Sequence, residues 1–111
     1  MSEQVIVREH DEGRTVLVGD GDYVIYKVRS DESGGAYFCF EGATTPGFGP
    51  PLHTHPYREL FYVIEGKVAL QYNGERHVLE AGDSAYLDGG TAHGWENVGS
   101  RAAKALWVIL G

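Results

Sequence analysis

The sequence predicts an all-β fold, because its apolar residues alternate with a period of two and because turn-forming residues interrupt them at short intervals. Short stretches rich in β-branched and aromatic residues recur, as expected of strands: DYVIYKVR, GAYFCF, LFYVIEG, KVALQY, RHVLE and SAYLD. The chain contains 16 glycines, which separate such stretches at roughly the 8- to 12-residue spacing typical of a sandwich or barrel. No stretch has the period of a long helix.

Strands are also predicted near both ends of the chain. Val5 and Val7, and then Val16 and Val18, alternate with other residues as the side chains on one face of a strand do. The stretch ALWVIL, residues 105–110, is too short to assign by pattern alone, but its tryptophan, valine and isoleucine favour a strand.

Two dipeptides predict hairpin turns and one segment predicts an irregular loop. Asn73-Gly74 joins KVALQY to ERHVLE, and Asp88-Gly89 joins SAYLD to the stretch after it; both dipeptides suit tight turns that require a positive φ. The segment TTPGFGPP, residues 44–51, contains three prolines and two glycines. It predicts a stiff loop that leads into a pair of histidines.

Length and composition predict one domain covering residues 1–111, with ordinary globular proportions of 42% hydrophobic and 23% charged residues. The net charge of −7 argues against nucleic acid or an anionic membrane as a partner, because both bind basic surfaces. No apolar run approaches the roughly 20 residues that span a bilayer, and the N-terminus does not resemble a signal peptide. Cys39 is the only cysteine, so a reducing, cytoplasmic location is expected and Cys39 is interpreted as a small buried hydrophobe.

Three polar residues stand where the sequence turns from loop to core strand. His53 and His55 are two apart, so in an extended segment their side chains project to the same side. Glu59 begins the next strand and shares its face with Phe61 and Val63. If that face is the core, the Glu59 carboxylate is buried and requires a partner, a proton or a bound cation.

A third histidine, His93, follows the Asp88-Gly89 turn. Three neutral imidazoles and one carboxylate are donors that suit a divalent transition metal. Spacing alone leaves a second interpretation open, in which the histidines are ordinary loop residues and Glu59 is solvated at a strand end.

The glycine positions around these residues resemble the two motifs of the cupin family. The first motif runs from Gly47 through FGPPL, His53-Thr54-His55, PYR, Glu59 and LFYVIE to Gly66. The second runs from Gly82 through DSAYL, Asp88-Gly89-Gly90, TA, His93 and GWE to Asn97. The motifs thus cover residues 47–66 and 82–97. Asp88 replaces the usual proline, at a turn position that carries no ligand.

The resemblance implies a double-stranded β-helix, a small jelly-roll-like β-barrel with a metal near one mouth. By their positions in the motifs, it implies that the metal ligands are His53, His55, Glu59 and His93. It also implies one divalent transition metal per chain: Fe, Mn, Ni, Zn, Co or Cu. Such a ligand set leaves coordination positions for exchange, whereas a structural zinc site is closed and usually rich in cysteine.

Cupins with this ligand set include dioxygenases, isomerases, decarboxylases and non-catalytic binding proteins. The leading interpretation is a metal-dependent, dioxygenase-like oxidoreductase acting on a small organic substrate, with Glu59 also serving as a proton acceptor. The alternative is a non-enzymatic module that binds a metal or small ligand. A homodimer is expected, because small cupins commonly dimerise and the N-terminal strands with Val5, Val7, Val16 and Val18 need a partner surface.

Residues around the ligands are candidates for a substrate pocket. Phe61 and Val63 are expected beside Glu59, and Trp95 beside His93; plain core packing explains them equally well. Tyr57 and Arg58 are expected at the mouth, where Arg58 either meets an anionic substrate or is a solvated turn residue. His10 and His77 match no motif position and are interpreted as surface residues. Tyr37, Tyr86 and Trp107 are interpreted as structural.

Overall fold

The computed structural model describes residues 5–18 and 22–110, and in these ranges the chain forms nine β-strands and one short 3-10 helix. The strands, in chain order, are β1 (Thr15–Leu17), β2 (Tyr23–Val28), β3 (Tyr37–Thr44), β4 (Arg58–Glu65), β5 (Lys67–Tyr72), β6 (Glu75–Glu80), β7 (Ser84–Leu87), β8 (His93–Asn97) and β9 (Ala103–Leu110). The 3-10 helix, Ser30–Ser33, connects β2 to β3. The predicted all-β fold is confirmed.

The strands form two antiparallel sheets. The larger sheet has the order β1-β2-β3-β9-β4-β7, and the smaller has the order β6-β5-β8. The central strand of the large sheet is β9, which pairs with β3 on one side and β4 on the other. This arrangement is the β-barrel sandwich that the sequence predicted.

The hydrophobic core contains side chains from both sheets. In β4, Phe61 and Val63 are 1% and 0% exposed, and they alternate with outward-facing residues. They pack with Val68 and Leu70 of β5 and with Trp107 of β9. The period-two pattern read from LFYVIEG therefore identifies the buried face correctly, and Glu59 lies on that face.

One of the two predicted hairpins is confirmed and the other is wrong. Asn73 and Gly74 have φ values of 51° and 79° and join the paired strands β5 and β6. Asp88-Gly89 instead lies where the chain crosses between sheets, because β7 pairs with β4 whereas β8 pairs with β5. The positive φ in this turn falls on Gly90, at 86°. A dipeptide favours a turn but does not determine which strand follows it.

The predicted strand at Val5 and Val7 is also wrong. Both residues lie outside the strands and are 87% and 74% exposed. Val16 does lie in β1, which pairs with β2 at the edge of the large sheet, and Val18 follows directly after that strand.

Side-chain hydrogen bonds hold residues 8–12, which precede β1, and a backbone hydrogen bond of 2.9 Å from Tyr26 to the Arg14 carbonyl holds the residue next to the strand. The Lys27 ammonium donates hydrogen bonds, of 2.9 to 3.1 Å, to the backbone carbonyls of Glu9, His10 and Glu12. Arg8 pairs with Glu32 at 2.7 Å and also donates to the Lys27 carbonyl. The hydrogen bond from Arg8 lowers the pKa of Glu32. These contacts fasten the segment to the end of β2 and to the 3-10 helix.

Candidate metal centre

The loop that carries the first two histidines is fixed along the free edge of β8. The backbones of His53 and His93 exchange two hydrogen bonds of 2.9 Å. Further along, Asn97 donates to the Phe48 carbonyl at 2.9 Å and Trp95 donates to the Pro50 carbonyl at 3.1 Å. The proline-rich loop therefore acts as an additional antiparallel strand, and it brings His53 directly opposite His93.

Glycines permit this close approach of backbones. A Cβ on Gly49 would lie 2.1 Å from the Trp95 carbonyl oxygen, and one on Gly94 would lie 2.9 Å from the Leu52 nitrogen. A Cβ on Gly89 would lie 2.2 Å from the Pro56 carbonyl oxygen. Each distance is far below van der Waals contact, so only glycine fits where the loop meets its neighbours.

Gly89→Ala is expected to destabilise the protein by about 2–3 kcal/mol, the upper range for an overpacked site, because the new methyl group meets rigid backbone at Pro56. Since Pro56 follows His55 directly, zinc affinity should fall by about tenfold or more. Thermal unfolding and zinc titration measure the two effects. Gly99→Ala is the matched control, because neither glycine has a left-handed φ and the nearest atoms to a Cβ at Gly99 are 3.4 to 3.6 Å away. Equal stability of the two variants would contradict this account.

Three imidazoles converge at the mouth of the sandwich. One ring nitrogen from each of His53, His55 and His93 lies within 4.8 Å of the others. The Glu59 carboxylate joins them: its Oε2 is 3.0 Å from His55 Nε2 and 3.3 Å from His93 Nε2. Glu59 is 6% exposed and His93 is 2% exposed. The structure thus brings together all four residues that the sequence singled out.

Backbone carbonyls determine the tautomers of two of these histidines. His53 Nδ1 is 2.7 Å from the Pro51 carbonyl oxygen, and His93 Nδ1 is 2.9 Å from the Thr91 carbonyl oxygen. A carbonyl oxygen only accepts hydrogen bonds, so each Nδ1 carries a proton and donates it. In the neutral imidazoles the lone pair is therefore on Nε2. Metal-binding histidines are commonly oriented in this way, by a hydrogen bond from the ring nitrogen that does not bind the metal.

Two buried ring nitrogens at this point have no hydrogen-bond partner among residues 5–18 and 22–110. They are His55 Nδ1 and His93 Nε2, and the latter lies near Glu59 Oε2 without the geometry of a hydrogen bond. An unpartnered buried polar atom costs about 1–3 kcal/mol. A cation would offset this cost at His93 Nε2 and neutralise the adjacent carboxylate. The donor set of three imidazoles and one carboxylate therefore fits a divalent transition metal.

A cavity of about 660 Å³ opens above these four residues. Of the predicted pocket residues, Tyr57 and Trp95 line it, and so do the four candidate ligands. The lining does not include Phe61 and Val63, which belong to the core described above, so the core-packing alternative describes them. Arg58 is exposed and also lies outside the lining. It is the first residue of β4, paired with Leu110, and not the turn residue that the sequence suggested.

Trp107, interpreted from the sequence as structural, lines the cavity as well as packing in the core. Its indole stacks on Phe40 at a centroid distance of 5.4 Å with 7° between the planes, and it lies 4.8 Å from the Trp95 ring. Gly42 also lines the cavity, and a Cβ there would lie 2.7 Å from the Trp107 ring. The sequence contained the glycine and the aromatics, but only the pairing of β3 with β9 brings them together.

The other singled-out residues lie away from this cavity. The side chains of His10 and His77 are 77% and 52% exposed, as predicted for surface residues. Tyr86 donates a hydrogen bond to Asp88 Oδ1 at 3.0 Å. Cys39 is half-buried in β3, and burial raises the pKa of its thiol, which disfavours the reactive thiolate.

The sequence and the fold both match known proteins. The family model described as "Cupin domain" matches residues 41–109. The chain is similar to the oxalate-binding protein of Thermotoga maritima, with 33% identity over 66 residues, which are 59% of this chain and 54% of that protein. The chain therefore spans about half the length of this curated relative.

Two solved structures share the fold. One is a Thermotoga maritima protein described as a predicted oxalate decarboxylase, with a TM-score of 0.81, 21% identity and coverage of 96% of this chain and 98% of the other. The second is the polyketide cyclase RemF of Streptomyces resistomycificus, with a TM-score of 0.80, 18% identity and coverage of 96% and 80%. At these identities the likeness concerns the fold alone.

Proposed function

The chain belongs to the cupin family, and on that premise we propose that it is a metal-dependent enzyme of the oxygenase type that acts on a small organic substrate. The observation that carries the proposal is the convergence of His53, His55 and His93 at the floor of a cavity. An open cavity above a metal-ligand cluster is the arrangement expected of a site built for exchange.

His53, His55, His93 and Glu59 would hold the metal. When bound, the metal supplies Lewis-acid and redox chemistry toward a substrate and O₂. The chain's own residues bind the substrate, exclude water from the apolar cavity and transfer protons to or from the substrate. We assign proton transfer to Glu59, because its carboxylate lines the cavity beside the histidines and a carboxylate can accept a proton from a bound substrate.

A second candidate function is a non-enzymatic module that binds a metal and a small ligand. The similarity to a protein described as oxalate-binding supports it, since binding without turnover requires the same ligand cluster. The two candidates differ in what they predict for O₂ and not in what they predict for the metal.

The experiment that tests the proposal is elemental analysis of the purified protein followed by measurement of O₂ uptake. We expect about one divalent transition metal per chain, because each chain supplies a complete ligand set, and O₂ uptake with at least one substrate among flavonols, catechols, diketones and thiols. Stoichiometric metal without O₂ uptake for any of these classes would favour the binding module. A protein that remains without metal after exposure to each candidate ion would contradict both.

We also propose that the protein forms a homodimer in a cytoplasmic setting. Val5, Val7 and Leu17 are at least 74% exposed, and β1 is an open sheet edge, which natural proteins usually cover. The expected result of light scattering at micromolar concentration is about twice the chain mass of 12.2 kDa; a value near 12.2 kDa would contradict the dimer. No helix in the described ranges is long and apolar enough to cross a membrane.

A further inference from the structure

Exposed apolar side chains surround the mouth of the cavity. Val18 is 60% exposed, Phe48 is 55% exposed and Tyr57 is 52% exposed, and all three line the cavity. They come from three separate segments: the residue directly after β1, the proline-rich loop and the segment before β4. We call these three residues the apolar rim. An exposed apolar cluster around a concave site is typical of a surface that a ligand covers.

Below the rim the wall is aromatic. Phe40 and Trp107 are stacked almost parallel, and the Trp95 ring lies 4.8 Å from Trp107. All three line the cavity. Flat aromatic walls favour a flat aromatic occupant, because offset and edge-to-face ring contacts add to the burial of apolar surface.

The charges that line the cavity are carboxylates. Within the described ranges no lysine or arginine lines it, whereas Asp22 and Glu59 do. The Asp22 carboxylate accepts hydrogen bonds from the Thr45 backbone nitrogen at 2.8 Å and from Thr45 Oγ1 at 3.1 Å, so it is held in place. The cavity therefore has no protein cation to neutralise an anionic ligand.

The charge balance at the floor restricts the ligand further. Three neutral imidazoles, the Glu59 carboxylate and a divalent cation together carry one positive charge. One oxygen anion of a ligand would neutralise that charge. A dianion would leave an uncompensated negative charge in an apolar cavity close to Asp22, which is unfavourable.

From these observations we propose that the cavity takes a planar aromatic molecule that is uncharged in solution and binds through one phenol or enol oxygen, which releases its proton to solvent, and that it selects against small dianions such as oxalate. The inference rests on the proposed metal centre for the oxygen contact and on the apolar rim and aromatic wall for the body of the ligand. Val18 and Phe48 are then specificity residues: Val18 lies outside both sequence motifs, and Phe48 lies between the fixed positions of the first.

The test is calorimetric titration of the protein, with and without bound zinc, using 1-naphthol and sodium oxalate as probes. We expect 1-naphthol to bind both forms, more tightly with zinc, and oxalate to bind the zinc form at least tenfold more weakly than 1-naphthol. Phe48→Ser should weaken 1-naphthol binding about tenfold, the scale for losing a partly buried aromatic contact. Val78→Ser is the matched control: Val78 is 43% exposed in β6, outside the cavity lining.

Oxalate binding as tight as that of 1-naphthol, or no 1-naphthol binding to either form, would overturn the inference. So would a Phe48→Ser variant with unchanged affinity but a halved mass in light scattering, because the apolar rim would then be a contact between copies of the chain. The same experiments distinguish failure of the proposed function from failure of this inference. If 1-naphthol binds but no metal-loaded form of the protein takes up O₂, the oxygenase is rejected and the inference about the ligand is supported. If 1-naphthol binds to a protein that takes up no zinc, only the metal centre is rejected.

Discussion

Fully metal-loaded Glu59→Gln is expected to turn over its substrate about 10²- to 10⁴-fold more slowly than the wild type, the range for loss of a general acid–base group. A glutamine keeps the shape and one oxygen donor of Glu59 but cannot accept a proton. The same variant should lose only about 10- to 100-fold in metal affinity, the scale of perturbations to a ligand shell. Steady-state O₂ uptake at saturating metal, with the substrate found by screening, separates the two effects.

Glu65→Gln is the control for this experiment, because Glu65 lies at the opposite end of the same strand with its side chain 56% exposed. It should match the wild type in both measurements. Turnover of loaded Glu59→Gln at the wild-type rate would eliminate the proton-transfer role and leave the metal site standing. Under the binding-module alternative, ligand affinity would simply follow metal occupancy.

His93→Ala is expected to abolish stoichiometric metal binding, with retention below about one tenth of an equivalent, because a site of four donors loses its most buried imidazole. His53→Ala is the companion variant. His53 is exposed, so its truncation removes a donor with little loss of core packing. Elemental analysis after dialysis measures the retained metal, and circular dichroism establishes that each variant is folded.

His77→Ala is the matched control, since His77 is a surface histidine in β6. It should retain the wild-type metal content. Full retention of metal by both His93→Ala and His53→Ala would contradict the ligand assignment. Loss of metal from His77→Ala would indicate that the metal is bound elsewhere.

The sequence predicted the centre of this molecule well because its signals there are local. The His-x-His pair, the spacing to Glu59 and the glycines around them depend on short-range geometry, and the structure brings His53, His55, Glu59 and His93 to one place. The alternation in β4 likewise identified Phe61 and Val63 as inward-facing. Such patterns follow from the two-residue period of a strand.

What the sequence did not predict depends on which strands become neighbours. Trp107 lines the cavity because β9 lies beside β3 and faces Phe40 across the pairing. Val18 and Phe48 reach the mouth from loops whose paths no local pattern defines. The Asp88-Gly89 turn was misassigned for the same reason, since the turn propensity of a dipeptide does not indicate which strand the next strand will pair with. Pairing over long sequence separations is a property of the whole fold.

The position of β9 has a consequence for how the chain acquires its structure. This strand lies between β3 and β4, yet it begins at Ala103, long after β4 has ended at Glu65. During synthesis both neighbours leave the ribosome before the strand that joins them, so each presents an unpaired edge until β9 arrives. Pairing at such separation is slow, and open edges recruit other chains. The interval before β9 inserts is therefore when this protein is most vulnerable to aggregation.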